Sequence, residues 1–314
     1  MTETSPRWDS TLLTLSYRLG EITLWRKQFR ALALKVHFFD LSEDPLVPPP
    51  PFERLGRDAD VIVTRSHPVR HRLEKLTYQN GVLRYVQSQY TRFHTELGGG
   101  FEDYLGKFSA KTRNTLRRKV KRFLDNGSGC GMREFRRPGE MGEFLRSARA
   151  VSVLTYQEKL LDAGIPATSE FAEKLEKWAE SDSVRAYLLT NDDKPVAYLC
   201  CPVNNGVVLY MYLGYDPAFA GFSPGTVLQY LVLQSLFSEG AFKAFDFTEG
   251  QGEHKRFFGT HETTCADICY FHDSMSIRLW VLLHVYTNNF SKFVVSALDF
   301  LGLKSRIKNM LRRL

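Results

Sequence analysis

The run "FDFTEG" puts two carboxylates, Asp246 and Glu249, and the Thr248 hydroxyl at the end of an otherwise apolar stretch. Side chains alternate along a strand, so Asp246 and Thr248 share one face and Phe245 and Phe247 the other. A carboxylate at the mouth of an apolar cleft can orient an amine or take its proton. Asp246 is the first candidate for that work, and Glu249 is a reader of acceptor charge. Alternatively, the two acids only pair with Lys255 and Arg256. His254, close behind in "GEHKRFF", titrates nearer neutrality than either acid and is either a base or a rim residue. Tyr210 and Tyr212 share a strand face, and either can protonate a leaving group or pack in the core. Cys200 and Cys201 face opposite ways and have no base in any nearby pattern, which favours direct group transfer over a covalent intermediate.

A second stretch, "YLGYDPAFAGFSPGTVLQYLVLQ" (Tyr212–Gln234), runs from a strand through a loop into a helix. Ser223 is a candidate N-cap, and Pro224 suits the first helical position. Gly225 leaves the backbone bare where N–H groups lack intrahelical partners, and Thr226 adds a hydroxyl. With Phe222 these residues make a candidate phosphate seat, although an ordinary helix start has the same letters. The stretch is neither a Walker loop nor a three-glycine dinucleotide fingerprint.

The elements that must position these groups are readable in outline. Residues 1–30 give no clear pattern. Strands are expected over Lys35–Leu41 and Asp60–Ser66, with a proline-rich break between them. Asn80-Gly81 marks a hairpin. After Gly98–Gly100 a helix pair is expected, with Ser109 as a cap and Gly127 as a stop. Its face carries Lys107, Lys111, Arg113, Arg117, Arg118, Lys119, Lys121 and Arg122. Two further helices precede strand-length runs at Val184–Thr190, Pro195–Cys201 and Gly206–Tyr215. A helix from Pro224 to Gly240, a strand over Phe242–Gly250, a short helix at "GEHKRFFGT" and a last strand follow. The tail is helical, with Leu279, Trp280, Leu282, Val285, Phe293, Val294, Phe300 and Leu303 ahead of a basic close. This order describes an α/β unit.

The chain has 314 residues, 43% of them hydrophobic, enough for one large domain or two of medium size. A net charge of +7 favours an anionic partner without choosing one. The basic helix face is either solvated or recruits an acidic carrier protein, glycan or lipid. Signatures of nucleic-acid modules are missing, which argues against nucleic acid. The spacing of the five cysteines fits reduced thiols, and no metal site is expected. The start lacks signal-peptide character and no apolar run approaches a membrane span, so a cytoplasmic protein is expected. The aromatic and basic tail allows peripheral contact with the inner face of a membrane, or packing across its own domain.

In "YLGKFSAKTRNTLRRKVKRF" (Tyr104–Phe123), Tyr212–Gln234 and "FKAFDFTEGQGEHKRFF" (Phe242–Phe258), and in their spacing, the chain resembles the GNAT superfamily of acyl-coenzyme A N-acyltransferases. More closely, it looks like the CelD and BioF2-like acetyltransferase branch. The resemblance covers about 101–272. It implies a GNAT-like α/β fold whose sheet parts beside the central helix, with a pantetheine arm between the strands ending near Tyr215 and starting near Phe242. The pyrophosphate would meet Phe222–Thr226, and Lys255 would meet an anionic part of donor or acceptor. "AGFSPGT" replaces the usual glutamine- and arginine-rich glycine loop, so either coenzyme A or an acyl carrier protein fits as donor. The implied organisation is a strand-rich 1–100 (a degenerate GNAT half in a tandem arrangement, or unrelated), an acyltransferase domain over 101–272 and a basic helical tail over 273–314. The implied reaction moves an acyl group from a thioester substrate to a small-molecule or glycan amine, with no tightly bound cofactor. The alternatives are a noncatalytic scaffold of a polysaccharide or envelope pathway and an aminoacyl-transferase-like peptidoglycan enzyme.

Overall fold

The computed structural model describes residues 8–20, 22–46, 50–155, 164–250 and 252–300. It divides into two compact units, one from 1–90 with 263–314 and one from 91–262. These divisions fall elsewhere than the composition changes at 100 and 272, because two long strands, Val82–Glu96 (β5) and His261–His272 (β12), each run through a division.

The first unit opens with an antiparallel hairpin of Trp8–Leu19 (β1) and Ile22–Leu34 (β2), where the sequence gave no clear pattern. Polar and charged residues share the exposed positions with Leu12, Ile22, Leu24 and Trp25, and the inward Leu13, Leu15, Tyr17, Phe29 and Ala31 belong to one core cluster. Strand β2 runs parallel to Val61–Pro68 (β3), which pairs antiparallel with β12. Leu76–Gln79 (β4) turns into β5 at Asn80 and Gly81, both with positive φ, as the dipeptide predicts. The strand expected over Lys35–Leu41 is instead a 3-10 turn at Phe38–Asp40. The His37 side chain caps that turn by accepting from the Phe39 N–H, and its ring stacks on that of Phe39. The tail helix Met275–Phe300 (α7) packs on β1 through Trp280, whose carbonyl accepts from Tyr17 Oη at 2.9 Å. Its basic close and part of the proline run lie outside the described residues.

The second unit carries Phe101–Gly106 (α1), Ala110–Leu124 (α2), Gly131–Phe135 (β6), Met141–Ser152 (α3), Ser169–Glu180 (α4), Val184–Asn191 (β7), Lys194–Asn204 (β8), Val207–Leu209 (β9), Tyr212–Tyr215 (β10), Pro224–Glu239 (α5), Ala244–Asp246 (β11) and Glu253–Phe258 (α6). The end of β5 pairs antiparallel with β11, which pairs parallel with β9, and β9, β8, β7 and β6 follow in antiparallel order. Residues alternate along these strands. Tyr187, Leu189, Leu199 and Cys201 face α1, α2 and α5, whereas Ala186, Leu188, Tyr198 and Cys200 face α3 and α4. Helix α5 is apolar on nearly every side and is buried accordingly. Its C-terminal end is held by Arg185, 1% exposed, which donates to Glu239 at 2.6 Å.

Two expected strands are broken. The run Gly206–Tyr215 splits into β9 and β10, and the strand expected over Phe242–Gly250 shrinks to β11. Thr248 (φ 59°) and Gly250 (φ 108°) turn the chain out of the sheet just after Asp246.

Candidate active site

The two breaks open the sheet. Strand β9 stays beside β11 as far as Leu209 opposite Asp246, and the Tyr210 N–H closes that edge onto the Asp246 carbonyl at 2.9 Å. Beyond this point β10 pairs with β8. A small, half-open cleft lies here, lined by Tyr198, Leu199, Tyr210, Leu213, Gly214, Tyr215, Gly225, Leu228 and Gln229. Gly214 cannot carry a side chain, since a Cβ there would sit 2.7 Å from Tyr198 Cε1 and 2.8 Å from Thr155 Cγ2.

One wall is the start of α5. Pro224 occupies the first turn as expected, but Ser223 does not cap through its hydroxyl. Its backbone is left-handed (φ 54°, ψ 50°), an uncommon state for serine, and its carbonyl takes the N–H groups of Thr226 and Val227. Pro224 has no N–H, so Gly225 holds this turn's remaining outward donor. Gly225 is exposed, and a Cβ on it would meet nothing nearer than Tyr215 Cδ1 at 3.8 Å. Phe222 precedes it, and the Arg122 guanidinium from α2 lies over the Phe222 ring at 5.0 Å. The basic helix thus brings a positive charge to the loop in which a phosphate was expected.

Deeper in the cleft stands Gln229, 3% exposed. Its Oε1 and Nε2 are buried and meet no hydrogen-bond partner among the described residues. Burying a carboxamide unsatisfied costs about 1–3 kcal/mol, so such a group demands an explanation. Sequence reasoning passed over Gln229. The available signal was a helix apolar all round, in which a glutamine between Leu228 and Tyr230 has no route to water.

Asp246 is fully buried. Arg92 Nε donates to both its oxygens at 3.0 and 3.1 Å, Arg92 Nη2 adds 2.5 Å, and the Thr248 N–H donates to Oδ1 at 2.9 Å. A carboxylate held this way is a strut that fixes the end of β11 and the turn after it. The shared face expected for Asp246 and Thr248 is replaced by a local turn, and the Thr248 hydroxyl donates to the Tyr210 carbonyl at 3.1 Å. Glu249 is exposed, and its backbone carbonyl accepts from Lys255 Nζ at 2.5 Å. The Lys255 ammonium is held below its usual pKa by desolvation, against the pull of Asp246.

His254 sits on α6 with its ring 5.7 Å from that of Tyr210. Desolvation, then the Lys255 charge, holds its pKa below the ordinary imidazole value, so it is neutral at pH 7. Tyr212 does not join this group. The residues between β9 and β10 interrupt the alternation, and Tyr212 turns to the other side of the sheet, where it packs edge-on against Phe171 at 5.0 Å. Tyr210 remains on the cleft side, its pKa raised by burial. Cys200 and Cys201 are wholly buried; burial pushes the Cys200 thiol up to about 12 and Cys201 well above its ordinary value, so neither is a thiolate nucleophile. Lys107, read as part of the basic face, is exposed, and its ammonium donates to the Phe258 and Gly259 carbonyls at 2.6 and 2.8 Å.

Comparison with known proteins bears on the fold that carries this geometry. Residues 110–256 match the family model described as the acetyltransferase (GNAT) domain. No curated protein sequence matches the chain. Among solved structures, FemX is similar at a TM-score of 0.50 and 11% identity, covering 88% of this chain and 90% of its own. L-PGS from Bacillus licheniformis is similar at 0.48 and 13%, covering 82% and 84%. A GCN5-related N-acetyltransferase from Kribbella flavida is similar at 0.34 and 14%, covering 61% of each chain. At 11% identity the likeness to FemX is one of fold alone. The broken strands and the buried central helix thus belong to a mixed α/β chain of GNAT-like fold, of which residues 110–256 match the acetyltransferase (GNAT) domain model.

Proposed function

We propose that this protein is an N-acyltransferase that moves an acyl group from a coenzyme A or carrier-protein thioester directly to an amine. The observation that carries the reading is the cleft between β10 and α5, an aromatic-lined slot with a bare Gly225 N–H at its mouth and, in its wall, Gln229, whose buried carboxamide has no partner among the described residues. An apolar arm bearing amides fits such a slot. A carboxamide offers one acceptor and two donors, the complement of a secondary amide. At the mouth, the donor's phosphate would meet Gly225, Thr226 and the Arg122 charge.

In the reaction, the amine nitrogen forms a bond to the thioester carbon, the carbon–sulfur bond breaks, and the sulfur leaves with its electron pair. The nucleophile must be a free amine, and neutral His254 is the group suited to taking its proton. Tyr210 stays protonated at neutral pH and is the candidate donor to the departing thiolate. Asp246 acts through Arg92 and Thr248 as a positioning residue, Lys255 ties the turn at Glu249, and Tyr212 supports the sheet from behind. Direct transfer suits two cysteines that stay protonated.

The same reading includes a cytoplasmic site of action with peripheral membrane contact through α7. The helix exposes Leu279, Leu283, Tyr286, Phe290 and Phe293, spaced as one stripe. No described helix is long and apolar enough to cross a membrane.

Incubation with a panel of acyl-coenzyme A and acyl-carrier-protein donors against small amines and amino sugars tests the activity by mass gain of the acceptor. Acceptor acylation that depends on the thioester is expected. Binding of charged transfer RNA without any thioester turnover would transfer the reading to an aminoacyl-transferase, and binding of neither would leave a scaffold.

A further inference from the structure

Away from the cleft, three potential ligands meet where β5 ends and β12 begins. His94 and Glu96 are two apart on β5 and so share a face. His261 opens β12, and the preceding Thr260 N–H donates to the His94 carbonyl at 2.9 Å, which ties the strands together at this point. One ligand atom from each of the three residues lies within 4.8 Å of the others. The imidazole rings of His94 and His261 are stacked at 5.3 Å and 15°, and His261 Nε2 is 4.0 Å from Glu96 Oε1.

We propose that His94, Glu96 and His261 bind one divalent cation of zinc-like character. Two imidazoles and one carboxylate make a donor set suited to borderline first-row ions, not to magnesium or calcium, which prefer all-oxygen shells. Three protein ligands leave a fourth tetrahedral position for water or a small anion. Metal–ligand bonds of about 2.0–2.2 Å require the ligand atoms to close by roughly 1 Å. His261 and Glu96 have that freedom, with side chains 51% and 63% exposed, while His94 is the fixed, buried member. A second contact orients His261. Its Nδ1 lies 2.8 Å from the Thr260 hydroxyl, and in the tautomer whose Nδ1–H donates there, Nε2 presents its lone pair to the site. His261 is far in sequence from the His94 and Glu96 pair, so no spacing motif announces the set. A bound ion would clip the two strands together beside Asp246, the cross-strand partner of His94.

The test is calorimetric titration of chelator-treated full-length protein with zinc chloride, with magnesium chloride as control. One zinc per chain is expected, with no response to magnesium. His261→Ala and Glu96→Gln, both at exposed positions, should each weaken zinc at least tenfold, whereas His71→Ala, an exposed histidine elsewhere, should not. Cobalt(II) should give the strong visible bands of a tetrahedral site in the wild type and lose them in His261→Ala. Absence of stoichiometric zinc binding would overturn the proposal, as would zinc affinity unchanged in both ligand variants.

Discussion

Gln229 and His254 carry opposite lessons about single residues. Gln229 holds two polar atoms in a dry wall at a cost in stability, which makes sense if a ligand satisfies them. Gln229→Leu should therefore keep or raise the urea midpoint while weakening thioester binding about tenfold, the worth of one hydrogen bond of about 1.4 kcal/mol. A variant that loses both together would mark Gln229 as ordinary core. His254 has its pKa depressed, so the neutral base form persists further into acid than for a free imidazole. The acid limb of kcat/KM should have its midpoint below 6.5, with a plateau from pH 7 upward, and His254→Gln should remove that limb. The sequence showed Asp246 and His254 as chemistry-bearing, but not which one is occupied. Arg92, which fills Asp246, lies 154 residues earlier in the chain, and no local pattern links them.

Elements were legible where local chemistry decides them. Asn80-Gly81 sets its turn, Ser109 caps α2 by accepting from the Thr112 N–H, and Gly240 ends α5 in the left-handed state. The splitting of Gly206–Tyr215 was not legible, because β9 stops where its parallel partner β11 stops, and that partner lies downstream. The hairpin of β1 and β2 was missed for a related reason. Its exposed positions, on both faces, mix charges with Leu12, Ile22, Leu24 and Trp25, which blurs the period-two pattern. In α7 the sequence named the right helix but an imperfect face. Trp280 turns inward against Trp25, with the two rings stacked at 6.4 Å, and the outward stripe is Leu279, Leu283, Tyr286, Phe290 and Phe293. If that stripe meets lipid, the protein should float with vesicles rich in anionic phospholipid, and Leu283→Glu with Phe290→Glu should keep it in the soluble fraction. Equal flotation of the double variant would remove α7 from membrane contact.

For the whole molecule, the GNAT fold and the excess of positive charge agree with an anionic donor, and the chemistry gathers in the second unit. There a buried helix, a strand that leaves its neighbour and two separate turns with left-handed residues, Ser223 and Thr248, frame a slot whose wall holds polar atoms in need of partners. The account stands or falls on what enters that slot. Gly225 is where a large side chain fills the mouth from an exposed position, so Gly225→Trp should fold and block entry. The decisive measurement is native mass spectrometry of the wild type and Gly225→Trp titrated with acyl-coenzyme A and acyl-carrier protein. The account predicts one thioester donor bound per wild-type chain and none on the folded variant. Equal occupancy of the two proteins, or a wild type that binds no thioester, would contradict it.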